Sequence, residues 1–212
     1  MPEKTIANAE ADRPGPSGPP LILASTSRYR RALLERLGVP FKAVAPGTDE
    51  TALPAERPRD TALRLAEAKA RSVAAAHPGA LIIGSDQVAD CDGQAIGKPG
   101  NHHGAVAMLT ALSGRTVVFH TGLALLDSPS GRCATAMVDV RSTFRRLSAT
   151  EIELYLAREA PYDCAGAVKS EGLGIALFES IASDDPTALI GLPLIRLVTM
   201  LREAGVAVLE PA

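Results

Sequence analysis

The chain has 212 residues, 46% of them hydrophobic, which is enough to bury a sizeable core in one domain or two small lobes. Its net charge of −2 argues against a nucleic-acid polymer as the main partner, because such a partner calls for a basic surface. No apolar run reaches membrane-spanning length, and the three cysteines form no C-x-x-C pair, so we expect a cytoplasmic protein with reduced thiols and no membrane partner.

Residues 1–20 have the composition of a flexible tail. They are polar and rich in proline, and they lack a periodic apolar face that could pack against a core. We therefore expect a flexible N-terminal tail over residues 1–20 and one folded domain over residues 21–207.

The first predicted elements are a strand and a helix joined by a hydroxyl-rich turn. The apolar run Leu21–Ala24 predicts a buried strand, and apolar residues at helical spacing that stop at Gly38 predict the helix. Between them, the segment Ser25–Arg31 brings hydroxyls, backbone N–H groups and guanidinium groups together, which is a good environment for phosphate. The alternative is that Ser27 only caps the helix and the arginines lie in solvent.

The rest of the chain alternates between predicted strands and helices. Up to the middle of the chain we expect a strand at Phe41–Ala45, a loop at Pro54–Asp60, a helix at Ala62–Ala76, a buried strand at Leu81–Gly84, a hairpin joining Gln87–Cys91 to Gln94–Gly97, and a helix at 102–112. Beyond it we expect long paired strands at Arg115–Leu126 and Arg132–Arg145, a helix from the capping box Ser148-x-x-Glu151 to Glu159, a strand at Ile175–Ile181 and a helix at Leu192–Ala204. This pattern predicts an α/β fold with a mixed β-sheet flanked by helices.

Asp86 is the first candidate for chemistry. It follows the apolar run Leu81–Gly84, so Ser85, Asp86 and Gln87 are expected at the C-terminal end of a buried strand. Open α/β sheets place their chemistry at strand ends, although an acid at such a position can also be a simple turn residue.

Three acids and three lysines could bind a metal or a phosphate. Asp49, Glu50 and Asp86 are candidate ligands for Mg²⁺ or Mn²⁺, which often take only one or two protein carboxylates together with phosphate and water. The lysines are Lys69, on a helix where a solvated side chain is the default, Lys98, stiffened by Pro99, and Lys169, which precedes a glycine-bearing turn. No P-loop motif occurs, and the glycines near residue 172 do not form a dinucleotide-binding motif.

These pieces together resemble the Maf family of nucleoside triphosphate pyrophosphatases. The matching segments follow the family order over residues 21–205 and are Leu23–Arg31, Asp49-Glu50, Glu67–Lys69, Gly84–Val88, Gly97–Pro99, Lys169–Gly172 and Gly191–Pro193. The resemblance implies hydrolysis of a nucleotide between its α- and β-phosphates, in two lobes around a deep nucleotide-binding cleft. It also implies a divalent metal cation (Mg²⁺, Mn²⁺ or Co²⁺), a cytosolic location and a possible homodimer.

The resemblance also implies a role for each matching residue. Asp86 falls on the catalytic position, where it would activate water or hold the metal with Glu50. The positions that would bind substrate are Ser25, Arg30, Lys69, Lys98 and Lys169. Three further positions, Tyr29, Gln87 and Glu171, are similar to those of the subgroup that acts on 7-methyl-GTP.

The chemistry of guanine supports that subgroup. The guanine edge offers two neighbouring donors, N1–H and N2–H₂, and the Glu171 carboxylate can accept both. A methyl group on N7 adds delocalised positive charge, which favours a carboxylate and the face of Tyr29. The alternatives are that Tyr29 only packs and Glu171 is solvated, that the substrate is dTTP or UTP, or that the protein is a nucleotide-binding regulator of cell division. We expect an enzyme that removes 7-methyl-GTP from the nucleotide pool.

Overall fold

The fold is built on a mixed seven-stranded β-sheet. The structure is a computed structural model, and it describes residues 18–209. Most of the tail predicted over residues 1–20 lies outside the described residues, and both predicted domain bounds stay predictions. The strands are β1 (Leu21–Ala24), β2 (Lys42–Val44), β3 (Leu81–Cys91), β4 (Gln94–Ile96), β5 (Thr116–Asp127), β6 (Cys133–Phe144) and β7 (Phe178–Ala182).

Five α-helices flank the sheet within the described residues: α1 (Arg28–Glu35), α2 (Pro58–Ser72), α3 (His102–Leu112), α4 (Ala149–Glu159) and α5 (Leu194–Glu203). The strand order is β2-β1-β3-β5-β6-β7, with β4 paired to β3. β1 runs parallel to β2 and β3, whereas the other pairs are antiparallel. The predicted α/β fold with a mixed sheet is therefore confirmed. No helix in this part of the chain is long and apolar enough to cross a bilayer.

The two faces of the sheet bury alternate residues of the same strands. On one face, residues such as Ile22, Ile82 and Ala124 pack against α2. On the other face, residues such as Leu23 and Ile83 pack against α1 and α5. This alternation is the period of two that places successive strand side chains on opposite faces.

The strand β3 is longer than the sequence predicts, and the expected strand end at Gly84 is wrong. β3 runs without a break for 11 residues and pairs with β5 from Leu81 to Asp90. Gly84 marks a close contact between helix and sheet, because a Cβ there would lie 2.0 Å from the Ala66 carbonyl oxygen of α2. Asp86 therefore lies in the middle of a strand.

The sheet nevertheless opens beside Asp86. β1 ends at Ala24, which pairs with Gly84, and β4 pairs with β3 only from Ala89 onward. Among the described residues, the edge of β3 at 85–88 therefore has no strand neighbour on this side. The end of β1, rather than the end of β3, creates the space in which Asp86 is accessible.

Smaller differences from the predicted elements have local causes. Helix α2 begins at Pro58 rather than Ala62, because proline is well tolerated in the first turn. The last strand begins only at Phe178, after a 3-10 turn at Leu173–Leu177. Helix α5 begins at Leu194 because Pro193 occupies its N-cap.

The buried hydroxyl of Ser142 gives a prediction about stability. Its side chain on β6 is 0% exposed, and Oγ has no hydrogen-bond partner among the described residues. Because an unsatisfied buried polar group costs about 1–3 kcal/mol, Ser142→Ala should raise the free energy of unfolding by about 1 kcal/mol. Urea denaturation monitored by circular dichroism measures this change.

Ser85→Ala is the matched control, because Ser85 Oγ lies 2.9 Å from the carbonyl oxygens of both Gly122 and Gly191. This variant should lose stability. If Ser142→Ala lost stability as Ser85→Ala does, the Ser142 hydroxyl would have a hydrogen-bond partner, such as a buried water.

Candidate active site

A cleft of about 760 Å³ lies at the open edge of β3. It is lined by the segment from the end of β1 into α1, by α2, by the middle of β3, by the loop after β4 and by part of the segment 163–171. All of the predicted site residues except Lys169 and the candidate metal ligand Asp49 line this cleft.

Lys69 lies between two carboxylates at the bottom of the site. Its Nζ is 2.6 Å from Asp86 Oδ1 and 2.6 Å from Glu50 Oε1. Lys69 is only 4% exposed and Asp86 only 7%, so the default of a solvated helical lysine is wrong. The reason is that Gly84 and Gly122 let α2 approach the sheet closely, which brings Lys69 onto β3.

Glu50 is held in its ionised form by the charges around it. Its hydrogen bond from Lys69 lowers its pKa, and the charges of Lys98 and Arg30 act in the same direction against the effect of burial. Lys98 is exposed, lines the cleft and has no ion-pair partner among residues 18–209. Three cations thus surround one end of the cleft.

Arg30 presents most of its guanidinium group to the cleft. Nε donates a 2.8 Å hydrogen bond to the Gly191 carbonyl, and Nη1 and Nη2 have no partner in the described part of the chain. Burial lowers the pKa of Arg30, while the carboxylates of Asp86 and Glu50 oppose that shift. The two free nitrogens are the pair of donors that binds phosphate in a bidentate manner.

The hydroxyl-rich turn before α1 has a structural role as well. Ser27 Oγ accepts a 3.3 Å hydrogen bond from the Arg30 N–H and caps α1, and Ser25 Oγ accepts one of 3.1 Å from the Ser27 N–H. Ser25 lines the cleft together with Arg30. Capping by Ser27 and placement of Arg30 in the cleft therefore occur together, although the sequence presented them as alternatives.

The ring of Tyr29 makes a cation–π contact with the guanidinium group of Arg28. The guanidinium carbon of Arg28 lies 4.7 Å from the ring centroid, and Arg28 Nη2 donates a 2.7 Å hydrogen bond to Tyr29 Oη. Burial raises the pKa of Tyr29, so the phenol is neutral near pH 7. Both residues line the cleft, so the ring of Tyr29 lies at its surface, and a role in binding the base stays a prediction.

Gln87 lines the cleft, but its amide nitrogen is hydrogen-bonded to other residues of the protein. Nε2 donates to the carbonyls of Ala188 at 2.8 Å and Leu189 at 3.1 Å, and lies 3.0 Å from Thr121 Oγ1. Only Oε1 remains available to a ligand.

Lys169 and Glu171 are placed differently although they are close in sequence. Lys169 Nζ donates a 2.7 Å hydrogen bond to the Glu159 carbonyl and lies 3.6 Å from the Glu159 carboxylate. The C-terminal end of α4 attracts this cation, and the structure does not bring it into the cleft. Glu171 is exposed, lines the cleft and has no ion-pair partner among residues 18–209.

Two further cleft residues, Asp163 and Cys164, were not among the predicted site residues, and Asp163 is an exposed loop acid. Gly191 belongs to the matching segment Gly191–Pro193, but no role was predicted for it, and it acts through its backbone carbonyl. Cys164 also lines the cleft, but burial and the neighbouring Asp163 raise its thiol pKa to about 11. A thiol that stays protonated is a poor nucleophile, so the structure gives no support to a catalytic cysteine.

Glu50 and Asp86 are the two carboxylates that converge in the cleft. The described residues contain no group of three or more His, Cys, Asp or Glu side chains that could hold a metal. Asp49 accepts a hydrogen bond from the Thr51 N–H at 2.9 Å and does not line the cleft. Two carboxylates fit a Mg²⁺ or Mn²⁺ ion that takes its remaining ligands from substrate phosphate and water.

Comparison with known proteins gives consistent matches over nearly the whole described chain. A family model described as Maf-like protein matches residues 20–204. The chain is 60% identical over 184 residues to a 7-methyl-GTP pyrophosphatase of Ralstonia nicotianae, covering 87% of this chain and 95% of that protein. Identity to the 7-methyl-GTP pyrophosphatase of Cupriavidus metallidurans is 57% over 187 residues, covering 88% and 94%. A 7-methyl-GTP pyrophosphatase of Burkholderia pseudomallei is 60% identical over 192 residues, with 89% of each chain covered.

Proposed function

The chain belongs to the Maf-like protein family, and we propose that it hydrolyses 7-methyl-GTP to 7-methyl-GMP and pyrophosphate. Relatives at 55–60% identity carry the name of that activity. The observation that carries the proposal is the lining of the cleft: an acid–lysine–acid cluster acted on by the charges of Arg30 and Lys98, together with Tyr29 and Glu171. Such a lining suits a molecule with a polyanionic chain at one end and a cationic base at the other.

The cations of the cleft would bind the triphosphate. Arg30 offers two nitrogens and Lys98 an ammonium group that have no partner among residues 18–209, and Lys69 lies between the two acids. A triphosphate carries several negative charges, and charge-assisted hydrogen bonds to Arg and Lys are the strong contacts available to it. These groups would fix the phosphates in a position close to Asp86.

Asp86 would take the proton of the attacking water. Lys69 binds Oδ1, which leaves Oδ2 without a hydrogen bond in the described part of the chain. In the hydrolysis, a water oxygen forms a bond to a phosphorus of the α–β bridge, the bridging P–O bond breaks, and the water gives a proton to Oδ2. In its other role, Asp86 would hold a divalent cation (Mg²⁺, Mn²⁺ or Co²⁺) together with Glu50, and that cation would supply positive charge to the phosphate oxygens.

Glu171 and Tyr29 would recognise the base. The Glu171 carboxylate has no ion-pair partner among the described residues, so it is available for the two donors of a guanine edge. The ring of Tyr29 already stacks with the Arg28 guanidinium, and a methylated guanine is also a planar, delocalised cation. Thymine and uracil place two carbonyls around one N–H and would leave Glu171 poorly matched, which favours 7-methyl-GTP over dTTP or UTP.

Pyrophosphate release over a panel of nucleotides tests the proposed function. The panel holds 7-methyl-GTP, GTP, dTTP and UTP, each with Mg²⁺, Mn²⁺ or Co²⁺ and with EDTA as the control. We expect the highest kcat/KM for 7-methyl-GTP, and we expect no turnover of any nucleotide in the presence of EDTA. A preference for dTTP or UTP would assign the chain to the other substrate class, and binding of nucleotides without any turnover would favour a regulatory role.

We also propose a location, a class of partners and an oligomeric state for the enzyme. Its substrate belongs to the nucleotide pool, so the proposed location is the cytoplasm, and the proposed partners are nucleotides rather than a nucleic-acid polymer. A homodimer is part of the proposal on the strength of the family resemblance. Light scattering coupled to size-exclusion chromatography measures the oligomeric state directly.

Arg30→Ala and Lys98→Ala should raise KM for every nucleotide in the panel by about 10- to 100-fold, because hydrogen bonds between charged groups contribute roughly 1.5–3 kcal/mol. The ranking of the bases should not change, since these side chains contact phosphate only. Arg31→Ala is the matched control, because Arg31 is exposed and does not line the cleft. A changed base ranking in either cleft variant would remove that residue from the phosphate end.

A further inference from the structure

Arg30 depends on a backbone carbonyl for its position. No carboxylate of the described residues lies within 4.0 Å of its guanidinium group, and its single side-chain hydrogen bond is the one from Nε to the Gly191 oxygen. The orientation of Nη1 and Nη2 in the cleft therefore follows the direction of the Gly191 carbonyl.

Gly191 ends a short 3-10 helix at Pro186–Ile190 and has a φ of +114°, a conformation that favours glycine. A Cβ at this position would lie 3.4 Å from Arg30 Nε. The backbone conformation is therefore what favours glycine here, whereas a Cβ would only come into contact with the Arg30 side chain.

The segment 186–191 is itself held rigidly. The buried carboxylate of Asp185 accepts hydrogen bonds from the Thr187 N–H at 3.2 Å and from the Arg196 N–H of α5 at 3.1 Å. These contacts cap the 3-10 helix and connect its N-terminal end to α5.

Three side chains of the sheet fix the segment against β3 and β5. Ser85 Oγ lies 2.9 Å from the Gly191 oxygen, and Thr121 Oγ1 donates a 2.9 Å hydrogen bond to the Ala188 oxygen. Gln87 binds the carbonyls of residues 188 and 189. Carbonyl oxygens only accept, so the Gln87 nitrogen must face them and cannot face a base.

We propose that Ser85, Gln87 and Thr121 are positioning residues that orient Arg30 through the segment 186–191. Ser85 and Thr121 are fully buried and do not line the cleft, so they cannot touch a substrate there. Any influence on the triphosphate must pass through Gly191 and Arg30. Gln87 shares in these hydrogen bonds through Nε2, but it also lines the cleft, where its Oε1 stays available to a ligand.

Binding of inorganic tripolyphosphate tests the proposal without a base. Isothermal titration calorimetry in EDTA, which prevents turnover, compares the wild type with Thr121→Val and Thr121→Ser. Thr121→Val removes the hydrogen bond to residue 188 and the acceptor that lies 3.0 Å from Gln87 Nε2, and it should weaken binding about three- to tenfold. Thr121→Ser keeps the hydroxyl and should bind as the wild type does.

A double-mutant cycle with Arg30→Ala decides whether Thr121 acts through Arg30. If it does, adding Thr121→Val to Arg30→Ala causes no further loss of affinity. The matched control is Thr116→Val, on the same strand, whose hydroxyl lies 3.1 Å from Thr143 Oγ1 and which does not line the cleft. It should leave affinity unchanged. Kinetics supply a second measurement: KM for 7-methyl-GTP and GTP should rise by the same factor in Thr121→Val.

Several results would overturn the proposal. Additive losses in the cycle, or no effect of Thr121→Val, would show that the segment does not act on Arg30. Ser85→Ala replaces Thr121→Val in the cycle if the latter fails to fold. The inference rests on the proposed function in one respect, namely that Arg30 binds phosphate. If Arg30→Ala itself leaves tripolyphosphate affinity unchanged, that assignment fails and the inference fails with it, whereas the other failures leave the proposed function intact.

Discussion

Asp86→Asn should keep the fold and lower turnover of 7-methyl-GTP by at least ~10²–10⁴-fold, the contribution typical of a general base. The amide oxygen of Asn can still accept the hydrogen bond that Lys69 Nζ donates to Asp86 Oδ1, so the buried contact survives. The second oxygen becomes an amide nitrogen, which cannot accept a proton from water and cannot bind a divalent cation. Steady-state pyrophosphate release measures the loss.

Asp90→Asn is the matched control for this variant. Asp90 lies on the same strand, four residues further along, and contacts His120 Nε2 at 3.2 Å rather than the cleft. It should retain turnover. If Asp86→Asn remained within about threefold of the wild type, Asp86 would have no part in the mechanism.

A titration with Mn²⁺ separates the two roles open to Asp86. If Asp86 mainly holds the cation, a higher Mn²⁺ concentration should restore part of the turnover of Asp86→Asn, because Glu50 remains as a ligand. If Asp86 mainly takes the proton, saturation with metal should restore nothing. Both roles fit the structure, since Lys69 binds one carboxylate oxygen and the other has no hydrogen-bond partner in the part of the chain that is described.

Elements that depend on local sequence were predicted well. The strand β1, the helix α3, the long pair β5 and β6, and the capping box of α4 all occur as expected. Each of these rests on a pattern within about fifteen residues: an apolar run, a helical period, a turn or a cap. Local signals of this kind do not depend on residues far away in the sequence and are therefore visible in the chain itself.

Features of the site that depend on long-range contacts could not be predicted in this way. Gly84 was taken as the end of a strand, although its role is to admit α2 within contact of the sheet. That close approach turns Lys69 from a solvated lysine into the buried partner of Asp86. Residues 69 and 86 belong to different elements, and no local pattern encodes their pairing.

The segment that follows α4 shows the same limit. Lys169 and Glu171 are close in sequence, yet the first contacts the end of α4 and the second lines the cleft. Gly191 contributes a carbonyl oxygen, a group that every residue possesses. Such roles become visible only when the backbone has been placed.

Glu171→Gln should change the substrate preference more than any other single substitution in the cleft. The carboxylate can accept both N1–H and N2–H₂ of guanine and also balances the charge of a methylated base. Glutamine keeps one acceptor, places an N–H₂ group where an acceptor is needed and removes the charge. When a site recognises its substrate through hydrogen bonds, one mismatched partner strongly lowers kcat/KM. We therefore expect kcat/KM for 7-methyl-GTP to fall by roughly 10²-fold.

The comparison with UTP makes this result specific to the base. An amide can pair with the mixed edge of a pyrimidine, so kcat/KM for UTP should fall much less, and the ratio of the two values is the measured quantity. Glu179→Gln is the matched control, because Glu179 is an exposed acid on β7 outside the cleft. It should leave the ratio unchanged. Equal losses on 7-methyl-GTP and UTP would mean that Glu171 does not recognise the base, and the preference for a cationic purine would then have to come from Tyr29 and its ring face.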